Sequence, residues 1–204
     1  MTQDSSGFLI PAHNCLVCMG DSITEAPDGY VTVMRNLISA VYPERAIEVL
    51  NAGVSGNRVV DMLARLDRDV IQAKPDWVTV NVGINDVWHG ANGVSLEQYE
   101  PLLKQLVQQL QHDTNAQIVL VTPTIIGEDI SSAENITLNG YVEAMERVSR
   151  QLNVHLAPMH QEFIRTLERG HSANPNFSLT TDGVHMNPIG NHVMAMILLR
   201  FLGF

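Results

Sequence analysis

Four short blocks of the chain hold side chains able to do chemistry together. They are Gly20-Asp21-Ser22-Ile23-Thr24, Asn51-Ala52-Gly53-Val54-Ser55-Gly56-Asn57, Gly83-Ile84-Asn85-Asp86 and, near the end, Asp182-Gly183-Val184-His185. A serine hydroxyl is a poor nucleophile until a base takes its proton. His185 can be that base, and Asp182, three residues earlier, can hold the other ring nitrogen and so fix the tautomer. Attack on an acyl carbon builds an oxyanion, which needs donors already in place. The backbone N–H groups of Ser22 and Gly56 and the side-chain amide of Asn85 offer three. A glycine at 56 also allows close approach of backbone to substrate. Each block alone is weak, since Gly-Asp-Ser recurs in ordinary turns. Together, in this order, they point to acyl transfer through serine.

Residues so far apart in sequence need a scaffold to bring them together. Apolar and β-branched runs at 14–19, 46–50, 76–82, 117–121 and, more weakly, 153–156 read as strands. Helical spacing covers 29–41, 58–72, a stretch through Leu96, Tyr99, Leu103, Leu106 and Leu110, and then 135–152 and 188–202. Such alternation implies right-handed crossovers and a parallel sheet covered on both faces. Ligands of these sheets bind beyond the carboxyl ends of the strands. The first three blocks follow the first three strands, where that rule puts a site. Two loop-like stretches, 124–135 and 170–180, are expected to frame it.

The blocks resemble those of the GDSL esterases, also called SGNH hydrolases, over the span from Gly20 to His185. The resemblance implies a flavodoxin-like three-layer α/β/α sandwich with a five-stranded parallel sheet. It also implies Ser22 as nucleophile and first oxyanion donor, Gly56 and Asn85 completing the hole, and Asp182 and His185 completing a triad. The Gly-x-Ser-x-Gly elbow of α/β-hydrolases is not met, because Thr24 stands where it needs glycine. Further stretches, among them Ala40-Val41-Tyr42-Pro43-Glu44, Lys74-Pro75-Asp76-Trp77-Val78 and Gly83-Ile84-Asn85-Asp86-Val87-Trp88, resemble a subgroup that contains bacterial acetyl xylan esterases. That implies removal of acetyl groups from carbohydrate hydroxyls, with no metal and no cofactor. The loop after Ser22 is short, only Glu25-Ala26-Pro27-Asp28 before Gly29, so the rim that meets a sugar differs. Lipolytic, lysophospholipase-type or thioester hydrolysis is the alternative within the family. A silent module that binds acylated sugars is the alternative outside enzymes, and the complete residue set disfavours it.

Neighbouring side chains carry weaker signals. Trp88, His89 and Met186 are candidates for the substrate pocket, with simple packing as the other reading for each. Asp86 and Asp21 are expected to fix backbone in the Asn85 loop and in the turn at Ser22. Cys15 and Cys18 form a C-x-x-C, yet three-residue spacing in a strand puts them on opposite faces, which predicts two inert thiols. The other histidines show no metal-ligand spacing, and Asn135-Ile136-Thr137 is a glycosylation sequon by pattern only. The run 193–199 is apolar on nearly all sides, which suits burial under the sheet or a subunit interface in a homo-oligomer.

Composition sets the outer limits. The 204 residues are 45% hydrophobic and 17% charged, enough for one domain with a real core. Twelve Lys and Arg against 22 Asp and Glu give a net charge of −10, which argues against nucleic acid or an anionic membrane as partner. The expected partner is a small-molecule or oligosaccharide ester. No basic residue precedes Arg35, so a secretory leader is not expected, and the reading is cytoplasmic. Residues 1–12 read as a loose arm and 13–204 as a single domain.

Overall fold

The computed structural model describes residues 7–204. Five parallel strands, β1 Cys15–Gly20, β2 Glu48–Gly53, β3 Trp77–Asn81, β4 Gln117–Val121 and β5 His155–Ala157, pair in the order β2-β1-β3-β4-β5. All four pairings are parallel. This is the doubly wound order whose crevice opens where the strand order reverses, here between β1 and its two neighbours.

Eight helices cover the sheet: α1 Ser22–Glu25, α2 Tyr30–Val41, α3 Val59–Asp69, α4 Ile84–Trp88, α5 Leu96–Asp113, α6 Ala133–Leu152, α7 Met159–Ala173 and α8 Pro188–Phe201. Alternation along β1 feeds two separate cores. Leu16 and Cys18 join Tyr30, Met34 and Ile38 of α2, Phe163 of α7 and Met194 and Leu198 of α8. Val17 and Met19 join Met62 and Leu66 of α3, Leu103 and Leu106 of α5 and Met145 and Val148 of α6. Burying each such side chain contributes roughly 1.5–3 kcal/mol, so a sheet covered on both faces is strongly held at its centre. The three-layer sandwich is therefore as expected.

The two thiols lie on opposite sides. Cys18 is buried in the first core, where burial pushes its thiol up to about 11, and Cys15 packs against the second. Both are free.

Two expectations need correction. A helix, α7, occupies 159–173, so the loop expected from residue 170 starts only at 174. Its signal is thin: Met159, Phe163 and Leu167 recur every four residues among Glu162, Arg165, Glu168 and Arg169. Of the arm expected over 1–12, residues 1–6 lie outside the described residues. The remainder is packed, with Phe8 and Ile10 buried and the Arg45 guanidinium 5.1 Å from the Phe8 ring and 4.5 Å from that of Tyr42. The apolar C-terminal helix buries Met194, Ala195, Leu198 and Leu199 and leaves Ile189 and Met196 exposed. Among the described residues, no helix is long and apolar enough to cross a membrane.

Candidate active site

At the carboxyl end of β1 the chain turns sharply into α1. A side chain at Gly20 would place its Cβ 1.9 Å from Thr24 Oγ1, so only glycine fits that turn. Asp21 caps the short helix, its Oδ1 accepting from the Ile23 N–H at 3.0 Å. Ser22 is thereby lifted out at the edge of the sheet. Its Oγ lies 2.9 Å from His185 Nε2, although 163 residues separate them.

The ring of His185 is set by Asp182. Nδ1 and Asp182 Oδ2 are 2.7 Å apart, while Asp182 Oδ1 accepts from the Val184 and His185 amides at 3.0 and 2.8 Å. A carboxylate only accepts, so Nδ1 carries the proton and Nε2 offers its lone pair to the serine. The ring hydrogen bond, followed by the backbone ones, holds Asp182 down at about 2. The histidine and aspartate side chains are 39% and 51% exposed, so among the described residues the pair stays half-open to solvent.

The second and third blocks close on the first. Asn51 Nδ2 donates to Thr24 O, and the Ser55 N–H donates to Glu25 Oε2 at 2.9 Å, tying the loop after β2 to α1. Within that loop the Asn57 N–H bonds Val54 O, and Gly56 takes φ +76°, the left-handed region that favours glycine. No protein atom lies within 4 Å of where its Cβ would be, so the requirement is the backbone conformation itself. Asn85 follows β3, and its amide donates to Asn57 O at 3.1 Å and to Asp21 Oδ2 at 3.4 Å. Among the described residues, the N–H groups of Ser22 and Gly56 have no backbone acceptor.

Asp86 acts as the sequence predicted. Its Oδ1 accepts from the Val59 N–H at 3.0 Å, fixing the start of α3, and its carbonyl accepts from Val94. The other oxygen, Oδ2, is buried without a partner. Burial pushes Asp86 up to about 7 and Asp21 up to about 6. With the folded value above the unfolded one, the folded protein holds the extra proton. Stability contributed here therefore falls as pH rises from about 4 to about 7, then levels. Asp86→Asn keeps the Oδ1 acceptor and removes the charge. Its melting temperature is expected to exceed that of wild type clearly at pH 8 and little at pH 5; an equal gain at both would refute the titration of Asp86.

The remaining pocket candidates separate. Trp88 is 46% exposed and stands edge-on to His185, ring centroids 6.2 Å apart. His89 lies beyond it, 6.3 Å from the Trp88 ring. Met186, expected at the pocket, is buried in the first core and supports the histidine loop from beneath.

Several residues that sequence reasoning passed over hold this arrangement. Glu128 Oε1 accepts from Ser178 Oγ, Thr180 Oγ1 and the N–H groups of Leu179 and Thr180, all within 2.9 Å. The Gly127 N–H bonds Gly183 O at 2.6 Å, so the loop after β4 and the loop of Asp182 and His185 are stitched together. Asn135, the sequon asparagine, is buried and bonds Ile126 and Asp129 of the same loop. Arg65 reaches the ends of β1 and β2. Arg65 and Glu128 have no sequence signature, because their partners lie on other segments. Among the described residues, no group of three or more His, Cys, Asp or Glu is placed to hold a metal ion.

Comparison with known proteins gives concordant results. The model of the GDSL-like Lipase/Acylhydrolase family matches residues 18–193. The acetylxylan esterase of Geobacillus stearothermophilus is 33% identical over 210 residues, 93% of this chain and 94% of that protein. Thioesterase 1/protease 1/lysophospholipase L1 of Escherichia coli (strain K12) is 27% identical over 190 residues, 88% of this chain and 79% of that one. The crystal structure of the Geobacillus acetylxylan esterase Axe2 superposes with TM-score 0.86 at 32% identity, covering 96% of this chain and 97% of that one. Catalytic mutants of Axe2 in which a Ser, an Asp or a His is replaced match equally in coverage, and there too the aspartate precedes the histidine by three positions.

Proposed function

Because the chain belongs to the GDSL-like lipase/acylhydrolase family, we propose that it is a serine esterase that removes acetyl groups from carbohydrate hydroxyls. Ester hydrolysis follows from the family and from the likeness to an acetylxylan esterase across nearly the whole of both chains. The observation that carries the site is the unbroken hydrogen-bond chain from Ser22 through His185 to Asp182. In this reading 13–204 is one catalytic domain.

His185 Nε2 takes the Ser22 proton as Oγ attacks the acyl carbon. The oxyanion is received by the Ser22 and Gly56 N–H groups and by the Asn85 amide. Collapse expels the sugar oxygen, which takes the proton back from His185 and leaves an acetyl ester on Ser22. Water, deprotonated by the same nitrogen, then attacks; acetate departs and Ser22 regains its proton. Asp182 stays ionised throughout, as its low value requires, and stabilises the imidazolium. The exposed face of Trp88 next to His185 suits a sugar ring stacked at the mouth.

Acyl-chain preference tests the substrate class. A long chain needs an apolar groove, where each buried CH₂ contributes about 0.8 kcal/mol. An open triad with half-exposed members offers no such enclosure. Among p-nitrophenyl esters, acetate is expected to give the highest kcat/KM and octanoate the lowest. Acetylated xylo-oligosaccharides should release acetate faster than a simple alkyl acetate does. An octanoate preference of about tenfold, the discrimination a few buried methylenes supply, would replace this reading with the lipolytic one, towards which the lysophospholipase relative points.

A further inference from the structure

Arg65 lies on α3, away from all four sequence blocks, yet its side chain is only 8% exposed and bonds residues of two of them. Nη2 donates to Gly20 O at 2.9 Å, two residues before Ser22. Nη1 donates to Ala52 O at 2.9 Å, in the last turn of β2 before the Gly56 loop, and to Asp69 Oδ2 at 3.1 Å. Nε donates to Asn57 Oδ1, the residue that follows Gly56. The carbonyl of that same Asn57 accepts from Asn85 Nδ2.

A single guanidinium thus touches, directly or through one residue, the segments that carry all three expected oxyanion donors. We propose that Arg65 is the positioning residue of the oxyanion hole, holding the Ser22, Gly56 and Asn85 donors in one rigid frame. This rests on the esterase reading above. The chemistry suits arginine alone: its donors are fixed in one plane and are weakly hydrated, so they can satisfy several carbonyls at set angles in a buried place. Gly20 O also accepts from the Val54 N–H at 3.1 Å, so the guanidinium adds a second bond to a carbonyl at the very end of the β1–β2 ladder, where each oxygen has two lone pairs to satisfy. Asp69, paired at the outer edge of the group, offsets the cost of burying the cation. A lysine keeps the charge but offers a point donor on a flexible stem, so it cannot serve Gly20, Ala52 and Asn57 together.

Arg65→Lys is tested against wild type with p-nitrophenyl acetate, with rates expressed per active site titrated by a fluorophosphonate. Misplacing donors by about 1 Å costs up to about 100-fold, so kcat is expected to fall about 10- to 100-fold. KM should stay within about threefold, because the donors act on the transition state. A merely structural role would lower the melting temperature and the number of titratable sites but leave kcat per site unchanged. In an Asn85→Ala background, Arg65→Lys should cost only a few-fold, since coupled residues act non-additively. Equal losses in both backgrounds, or a rise in KM with kcat kept, would overturn the inference. Asn57→Ala, which cuts only the Nε link and keeps the carbonyl that holds Asn85, should reproduce the same split if the lysine variant does not fold. A wild type that hydrolyses no ester overturns the esterase reading first; an active wild type matched by Arg65→Lys overturns this inference alone.

Discussion

Replacing Ser22 with alanine is expected to lower kcat/KM for p-nitrophenyl acetate by on the order of 10⁴-fold or more, the loss seen when a triad member is removed. The change deletes one atom, the Oγ that lies 2.9 Å from His185 Nε2. It leaves the Ser22 N–H in place, and alanine is the best helix former, so α1 and the cap from Asp21 survive. The melting temperature should therefore barely move while hydrolysis is lost. Wild type should be labelled at Ser22 by a fluorophosphonate and the variant not at all. Retention of more than a few per cent of activity, or an adduct on another residue, would remove Ser22 from its proposed role.

Asn85→Ala is expected to lower kcat about 10²- to 10³-fold with little change in KM, the pattern of a donor that bonds the oxyanion more strongly than the ground-state carbonyl. The geometry makes the amide available at small cost. One of its hydrogens is anchored on Asn57 O at 3.1 Å, and the other reaches Asp21 Oδ2 only at 3.4 Å, a weak bond that an incoming oxyanion can displace. Steady-state kinetics on the acetate ester, with a melting curve as control, separates the cases. A large rise in KM at unchanged kcat would make Asn85 a ground-state binding residue instead.

Much of this was legible in sequence because it depends on local pattern. β1 and β3 are buried on both faces and read as continuous apolar runs, while the edge strand β2 is half-exposed and gives a weaker run; the blocks come at or just after their carboxyl ends. Asp21 bonds backbone two residues on, where its type predicts, whereas Asp86, also predicted to fix backbone, does so 27 residues away at Val59. Arg65 and Glu128 could not be read this way. Arg65 bonds a carbonyl 45 residues away and Glu128 a hydroxyl 50 residues away, and a charged residue on an amphipathic segment reads as solvent-facing. Helix α7 escaped for a different reason, since three buried apolar residues in fifteen give too faint a stripe. Gly56 was recognised for one cause and is required for another: its positive φ is a property of the turn, which the sequence does not display.

The stitching of the His185 loop by Glu128 has a mechanical consequence. Ser22 follows β1, an interior strand paired with β2 on one side and β3 on the other, and is held by the sheet itself. Among the described residues, His185 sits on a segment that joins no strand beyond the single bridge between Thr180 and Met186, and it is kept in place by the Glu128 carboxylate, the Gly127–Gly183 contact and the burial of Leu179, Val184 and Met186. The two members of the proposed catalytic pair therefore belong to units of unequal cohesion. Freeing the loop costs a handful of hydrogen bonds and the burial of those three side chains, and it leaves the sheet and its serine standing. On warming, the enzyme should go quiet before it melts, and recover on cooling without having to refold.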